Sequence, residues 1–189
     1  MRRICVYCGS APGNRGEYAE AAIGLAAELV RRGIGLVYGG SSKGIMGVLA
    51  DAVLERGGSA VGVMPHSLVQ KEIAHSGLTE LHVTATMHER KALMADMADG
   101  FIAMPGGFGT LEEIVEVLTW GQLRFHAKPC GLLNVAGYYD RFLAFVGHAT
   151  NEGFVREGHR EMLLVAALPA VLLDKFASYS APELRKWVD

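Results

Sequence analysis

The sequence predicts an α/β fold, a doubly wound and mainly parallel sheet with helices on both faces. Three observations carry this. Strand-like and helix-like segments alternate along all 189 residues. The strand candidates are continuous apolar runs rather than alternating ones, as expected of strands covered on both faces. Three of them end in small-residue loops, Cys8-Gly9-Ser10, Gly39-Gly40-Ser41-Ser42 and the run 105–110. Right-handed crossovers gather such loops at one edge of the sheet, where these folds bind ligands.

In chain order, residues 3–7 read as a strand and 17–31 as an amphipathic helix stopped by Gly33. Residues 34–38 are a strand, 44–55 a helix ended by Gly57-Gly58, and 60–64 a strand. A polar, irregular stretch at 67–77 follows, then a short strand at 81–84. Helix 87–98, strand 101–104, helix 111–122 and strand 129–133 come next. Helix 138–151, strand 162–165 and a terminal helix at 169–176, with Pro169 in its first turn, complete the pattern. No repeat or linker interrupts it, so residues 1–189 are expected to form one domain.

Composition narrows the function classes. Half the residues are hydrophobic, the formal net charge is −2, and no Lys/Arg tract occurs. A duplex-binding face normally needs one, so no nucleic-acid partner is expected. The longest apolar stretch, 162–173, contains Pro169 and is too short for a bilayer. Arg2-Arg3 precedes only a short apolar run and is no signal peptide, so a cytoplasmic location and no membrane partner are expected. Cys5 and Cys8 fall in a strand with no second pair to complete a zinc site. They read as core residues of a reduced compartment. Seven histidines show no metal spacing, and neither metal nor cofactor is expected.

Pro105-Gly106-Gly107-Phe108-Gly109-Thr110-Leu111-Glu112-Glu113 is the most informative run. A strand, a glycine turn and a helix start present several backbone N–H groups to one small anion. Such a cradle holds a phosphate without any lysine, which makes the acid Glu113 the residue to explain. Thr110-x-x-Glu113 also fits a capping box. The apolar stripe Leu111, Ile114, Val115 and Leu118 puts Glu113 on the other side of the helix, together with Val117 and Trp120. A helix apolar on both sides is covered on both sides.

Gly39-Gly40-Ser41-Ser42-Lys43-Gly44 matches neither the dinucleotide fingerprint nor a P-loop, and 59–64 lacks the acid that would hold a ribose. Phosphate or ribose contacts from Gly40 and Ser41 and a plain turn both fit it. Arg90 interrupts the stripe Met87, Met94, Met97. Either its stem packs while its head reaches solvent, or its fork meets an anion in a pocket.

The glycine run, with Met87-His88-Glu89-Arg90-Lys91 before it, Ile4 to Ser10, Tyr38-Gly39-Gly40 and Gly44-Ile45-Met46-Gly47, resembles the LOG family of cytokinin riboside 5′-monophosphate phosphoribohydrolases. The resemblance implies a Rossmann-like homodimer that hydrolyses the N-glycosidic bond of nucleoside 5′-monophosphates. These include AMP and N6-substituted forms such as isopentenyladenosine monophosphate. It implies Arg90 and Glu113 as catalytic residues. It places substrate contacts on Glu72, Lys91, Gly106, Gly107, Phe108, Gly109, Thr110, Leu111, Glu112 and Thr119. The older label for such proteins, lysine decarboxylase, has no residue-level support, because Lys43, Lys71 and Lys91 carry no sign of a Schiff base. A non-catalytic nucleotide or molybdenum-cofactor carrier on the same fold is the alternative. The Arg90/Glu113 pair separates the two, since a carrier does not need it. Met46, Met87 and Met94 are candidates for contact with the purine N6 substituent, or for core packing.

Overall fold

A computed structural model describes residues 1–69 and 74–183. In chain order its elements are β1 (Arg3–Tyr7), α1 (Gly16–Arg31), β2 (Gly35–Tyr38), α2 (Gly44–Glu55), β3 (Ala60–Pro65) and α3 (His66–Val69). Then come β4 (Glu80–Thr84), α4 (Met87–Met97), β5 (Phe101–Ala103), α5 (Phe108–Gln122) and β6 (Cys130–Leu133). A 3-10 turn (Val135–Gly137), α6 (Asp140–Asn151), α7 (Glu157–Arg160), β7 (Leu163–Ala166) and α8 (Pro169–Ala177) follow.

Among the described residues the strands form one parallel seven-stranded sheet, ordered β4-β3-β2-β1-β5-β6-β7. This is the doubly wound, Rossmann-like arrangement expected. Successive side chains on a strand point to opposite faces. Ile4 and Val6 of β1 therefore join the core under α1, α2 and α8, while Cys5 and Tyr7 join the core under α4 and α5. That is why the run is apolar without alternation. The chain builds outward from β1 to β4 and then returns to β5 on the other side. A crevice opens where the order reverses, beyond the ends of β1 and β5.

Cys5, Cys8 and Cys130 are buried free thiols, in keeping with a core role. Among the described residues no helix is long and apolar enough to cross a membrane.

Two expectations about α5 need correcting. The helix begins at Phe108, three residues earlier than its apolar pattern suggests, with Gly107 as an extended N-cap (φ −89°, ψ −155°). Thr110 therefore lies within the first turn and is buried, and it cannot cap the helix it belongs to. The capping box is not formed. The buried stripe is Thr110, Ile114, Val117 and Gly121, and Val115 is 41% exposed. Val117 packs in the core and does not lie on an outer face. Glu113, adjacent to this stripe, is drawn toward the core by the same rotation. The helix expected at 138–151 begins at Asp140, because Ala136 (φ 51°) and Gly137 (φ 72°) turn the chain first.

Candidate active site

A cleft of about 280 Å³ lies at the crevice, walled by Cys8, Gly9 and Ser10 after β1, Gly39 after β2, and Gly107 to Thr110 at the start of α5. All three small-residue loops thus meet at one place. Helix geometry leaves the N–H groups of Phe108, Gly109 and Thr110 without a carbonyl one turn back, and these residues line the cleft. With the positive end of the helix dipole they offer donors suited to an anion. Loop carbonyls are drawn off elsewhere. Tyr138 donates its hydroxyl to the Gly106 carbonyl at 2.5 Å, Tyr139 donates to Met104 at 2.7 Å, and the Pro105 carbonyl accepts from Gly9 N–H at 3.1 Å. A Cβ on Gly106 would stand 2.1 Å from Thr110 Oγ1 and 2.9 Å from the Gly9 nitrogen. Only glycine lets the strand end pack so tightly on the helix start.

Arg90 and Glu113 meet on the other wall, Nη1 to Oε1 at 3.3 Å, each side chain 13% exposed. Arg90 is fixed from a second side, since its Nε donates to the Val63 carbonyl at 2.9 Å. A Cβ on Gly39 would fall 2.4 Å from Arg90 Nη2, so the glycine after β2 makes room for the guanidinium. The reading in which the Arg90 head escapes to solvent does not hold. Burial lifts the Glu113 carboxyl to about 7, even though Arg90 draws it down; the carboxylates of Glu112 and Glu116 add to the rise. Burial also pushes the Tyr7 phenol and the Cys8 thiol well above their ordinary values, with the Glu113 charge adding to each. Both stay neutral beside it.

Not every expected residue is at the cleft. Lys91 is buried between α4 and α5, its Nζ 2.5 Å from Glu112 Oε1 and 3.0 Å from Glu116 Oε1. Thr119 donates its hydroxyl to the Val115 carbonyl one turn back on α5, and Leu111 packs against the core. Gly40 is buried and its carbonyl accepts from His75 N–H at 3.0 Å; fully buried Ser41 accepts from Lys43 N–H at 3.1 Å. From that loop it is Gly39 that reaches the cleft. Gly106 lies in an adjoining chamber with Pro12, Tyr18, Ile45 and Tyr138. Glu72 is outside the described residues. Met46 lines the cleft and Met94 is core, whereas Met87 places its sulfur 3.4 Å from Arg90 Nη1. Leu68, in the short α3 that follows β3, also lines the cleft; no pattern in the sequence marks it.

A family model described as "possible lysine decarboxylase" matches residues 46–176. The cytokinin riboside 5′-monophosphate phosphoribohydrolase LOG of Oryza sativa subsp. japonica is 51% identical over 95% of this chain and 74% of its own length. LOG1 of Arabidopsis thaliana, named as the same activity, is 48% identical over 95% of this chain and 84% of its own. Among solved structures, a molybdenum cofactor binding protein from Rippkaea orientalis superposes with a TM-score of 0.71 at 20% identity, covering 94% of this chain and 96% of that one. The molybdenum cofactor carrier protein from Chlamydomonas reinhardtii gives 0.70 at 20% identity, covering 95% and 99%. At such identity these last two speak for the fold alone.

Proposed function

This chain belongs to the LOG family, and from that premise we propose that it hydrolyses the N-glycosidic bond of cytokinin riboside 5′-monophosphates and of AMP. The products are free base and ribose 5-phosphate, a step that activates a cytokinin. The observation that carries this reading is the Arg90–Glu113 pair, buried beside a backbone anion cradle.

The N–H groups at the start of α5 take the 5′-phosphate, with Ser10 across the cleft. This puts the ribose on the Arg90/Glu113 side. As the C1′–N bond breaks, its electron pair leaves with the base and positive charge builds on the sugar. The Glu113 carboxylate stabilises that charge and accepts a proton from the water that attacks C1′. The leaving base gains a proton at nitrogen. Arg90, held by Val63 and Met87, aims Glu113 and binds the substrate.

Glu113→Gln tests this. Incubated with AMP and with isopentenyladenosine monophosphate, it should release base at least ~10²-fold more slowly than the parent while still binding nucleotide. Near-parental turnover would remove Glu113 from the mechanism. The carrier alternative has only the fold behind it, and tight nucleotide binding without base release in the parent protein would be its signature. A Schiff-base decarboxylase is not favoured, since no lysine lines the cleft among the described residues.

We also infer a cytoplasmic homodimer built from one domain over residues 1–189. The covered side of α5 that carries Val117 and Trp120 packs on the protein's own core, but α6 supports a dimer. It is amphipathic yet has no buried residue, and Phe145 on it is 65% exposed. Three reduced, buried thiols suit the cytoplasm.

A further inference from the structure

The seam between α4 and α5 carries two charge pairings side by side. Arg90 and Lys91 are consecutive on α4, and Glu112 and Glu113 are consecutive on α5, with Glu116 one turn further on. Arg90 takes Glu113 toward the cleft, and Lys91 takes Glu112 and Glu116 away from it. Glu112 and Glu116 are like charges at i and i+4, which by themselves oppose the helix. Lys91, with its side chain only 10% exposed, sits between them from the neighbouring helix. Family resemblance places Lys91 on the substrate; here both acids occupy its ammonium.

We propose that Lys91 and Glu116 are positioning residues whose pairing fixes α4 against α5 and sets the charge beside Glu113, and so the pH at which the site becomes active. This rests on Glu113 being the carboxylate of the proposed hydrolysis. The charged and titratable groups that act on Glu113 through their electrostatics are Arg90, which touches it, and Lys91 from α4, Glu112 and Glu116 on its own helix, Cys5 and Tyr7 from β1, and Cys8 just after it. Of these, Glu116 and Lys91 bear opposite charge and act on Glu113 in opposite directions. A simple brace between helices behaves otherwise, because loss of either partner weakens it in the same way.

The experiment is the pH dependence of kcat/KM for base release from AMP by the whole protein, compared among the parent, Glu116→Gln, Lys91→Met and Lys91→Arg. Ionisation of the substrate phosphate is common to all four and cancels in the comparison. In Glu116→Gln the acid limb should move down by about half a pH unit, which is roughly threefold more rate at its foot. In Lys91→Met it should move up by a similar amount, and Lys91→Arg should restore it. An unmoved limb in Glu116→Gln with only a lower Tm would overturn the proposal and leave a brace. A raised KM in Lys91→Met on an unmoved limb would also overturn it, and return Lys91 to the substrate. If the parent releases no base, hydrolysis itself fails. The clasp is then decided by NMR titration of the Glu113 carboxyl in the parent and in Glu116→Gln, where equal titration points would overturn it.

Discussion

Glu113 is held where a carboxylate is least comfortable, and the discomfort can be measured. Its carboxyl is raised from an ordinary value of 4.5 to about 7. The folded state therefore binds this proton more tightly than the unfolded chain does. Stability contributed by the neutral form is present below about pH 4.5 and is lost as pH climbs to about 7, after which it is constant. Glutamine has the same shape and does not ionise. Glu113→Gln should therefore match the parent near pH 4 and be more stable at pH 8 by about 3 kcal/mol, the pull of Arg90 being already contained in the raised value. Urea unfolding at the two pH values checks this, and equal stability at both would mean that Glu113 is not desolvated. The acid was legible in the sequence as an oddity in a glycine run. That it is covered was legible too, from apolar residues on both sides of its helix; which of those residues are buried depended on how the helix turns. Of the expected stripe, Ile114 is in the core and Leu111 and Leu118 pack against it, whereas Val115 is exposed.

At the scale of elements, the site is the junction of β5 with α5. The helix starts as soon as Gly107 allows it, so that its first N–H groups fall at the cleft. Gly106 sets how closely strand end, helix start and the β1 loop approach one another. Gly106→Ala must push Thr110 or Gly9 aside, since its methyl group would lie 2.1 Å from one and 2.9 Å from the other. The expected outcome is a loss of ~10-fold or more in affinity for AMP, with little change for adenosine, which has no phosphate. Calorimetry with both ligands checks it, and parallel losses would show that the loop serves the fold rather than the phosphate. The cradle itself was readable from strand, glycines and helix. The tyrosine hydroxyls that hold its carbonyls away were not, because Tyr138 and Tyr139 lie 32 and 35 residues from the carbonyls they serve.

For the whole molecule, the topology explains why residues from β1, β2, α4 and α5 share one cleft. The strand order reverses between β1 and β5, and the loops on either side of that reversal face each other. Association belongs to this scale. With no residue of α6 fully buried, Phe145 exposed and Phe108 91% exposed at the cleft mouth, a second copy is expected to cover apolar surface. Sedimentation velocity should give a dimer at micromolar concentration, and Phe145→Glu should shift it toward monomer. A monomeric parent would dismiss the homodimer.

The sequence by itself determined the alternation of strands and helices, the glycine cradle, and the two residues, Arg90 and Glu113, that break an apolar or glycine-rich pattern. These are local properties, fixed by periodicity and by residue types that cannot be explained as packing. Tertiary structure alone decided which face of α5 is buried, that Gly39 rather than Gly40 or Ser41 reaches the cleft, and that Lys91 turns to Glu112 and Glu116. Each of these depends on a neighbour distant in sequence, so that a rotation of one residue position exchanges inside for outside. No local pattern records that choice.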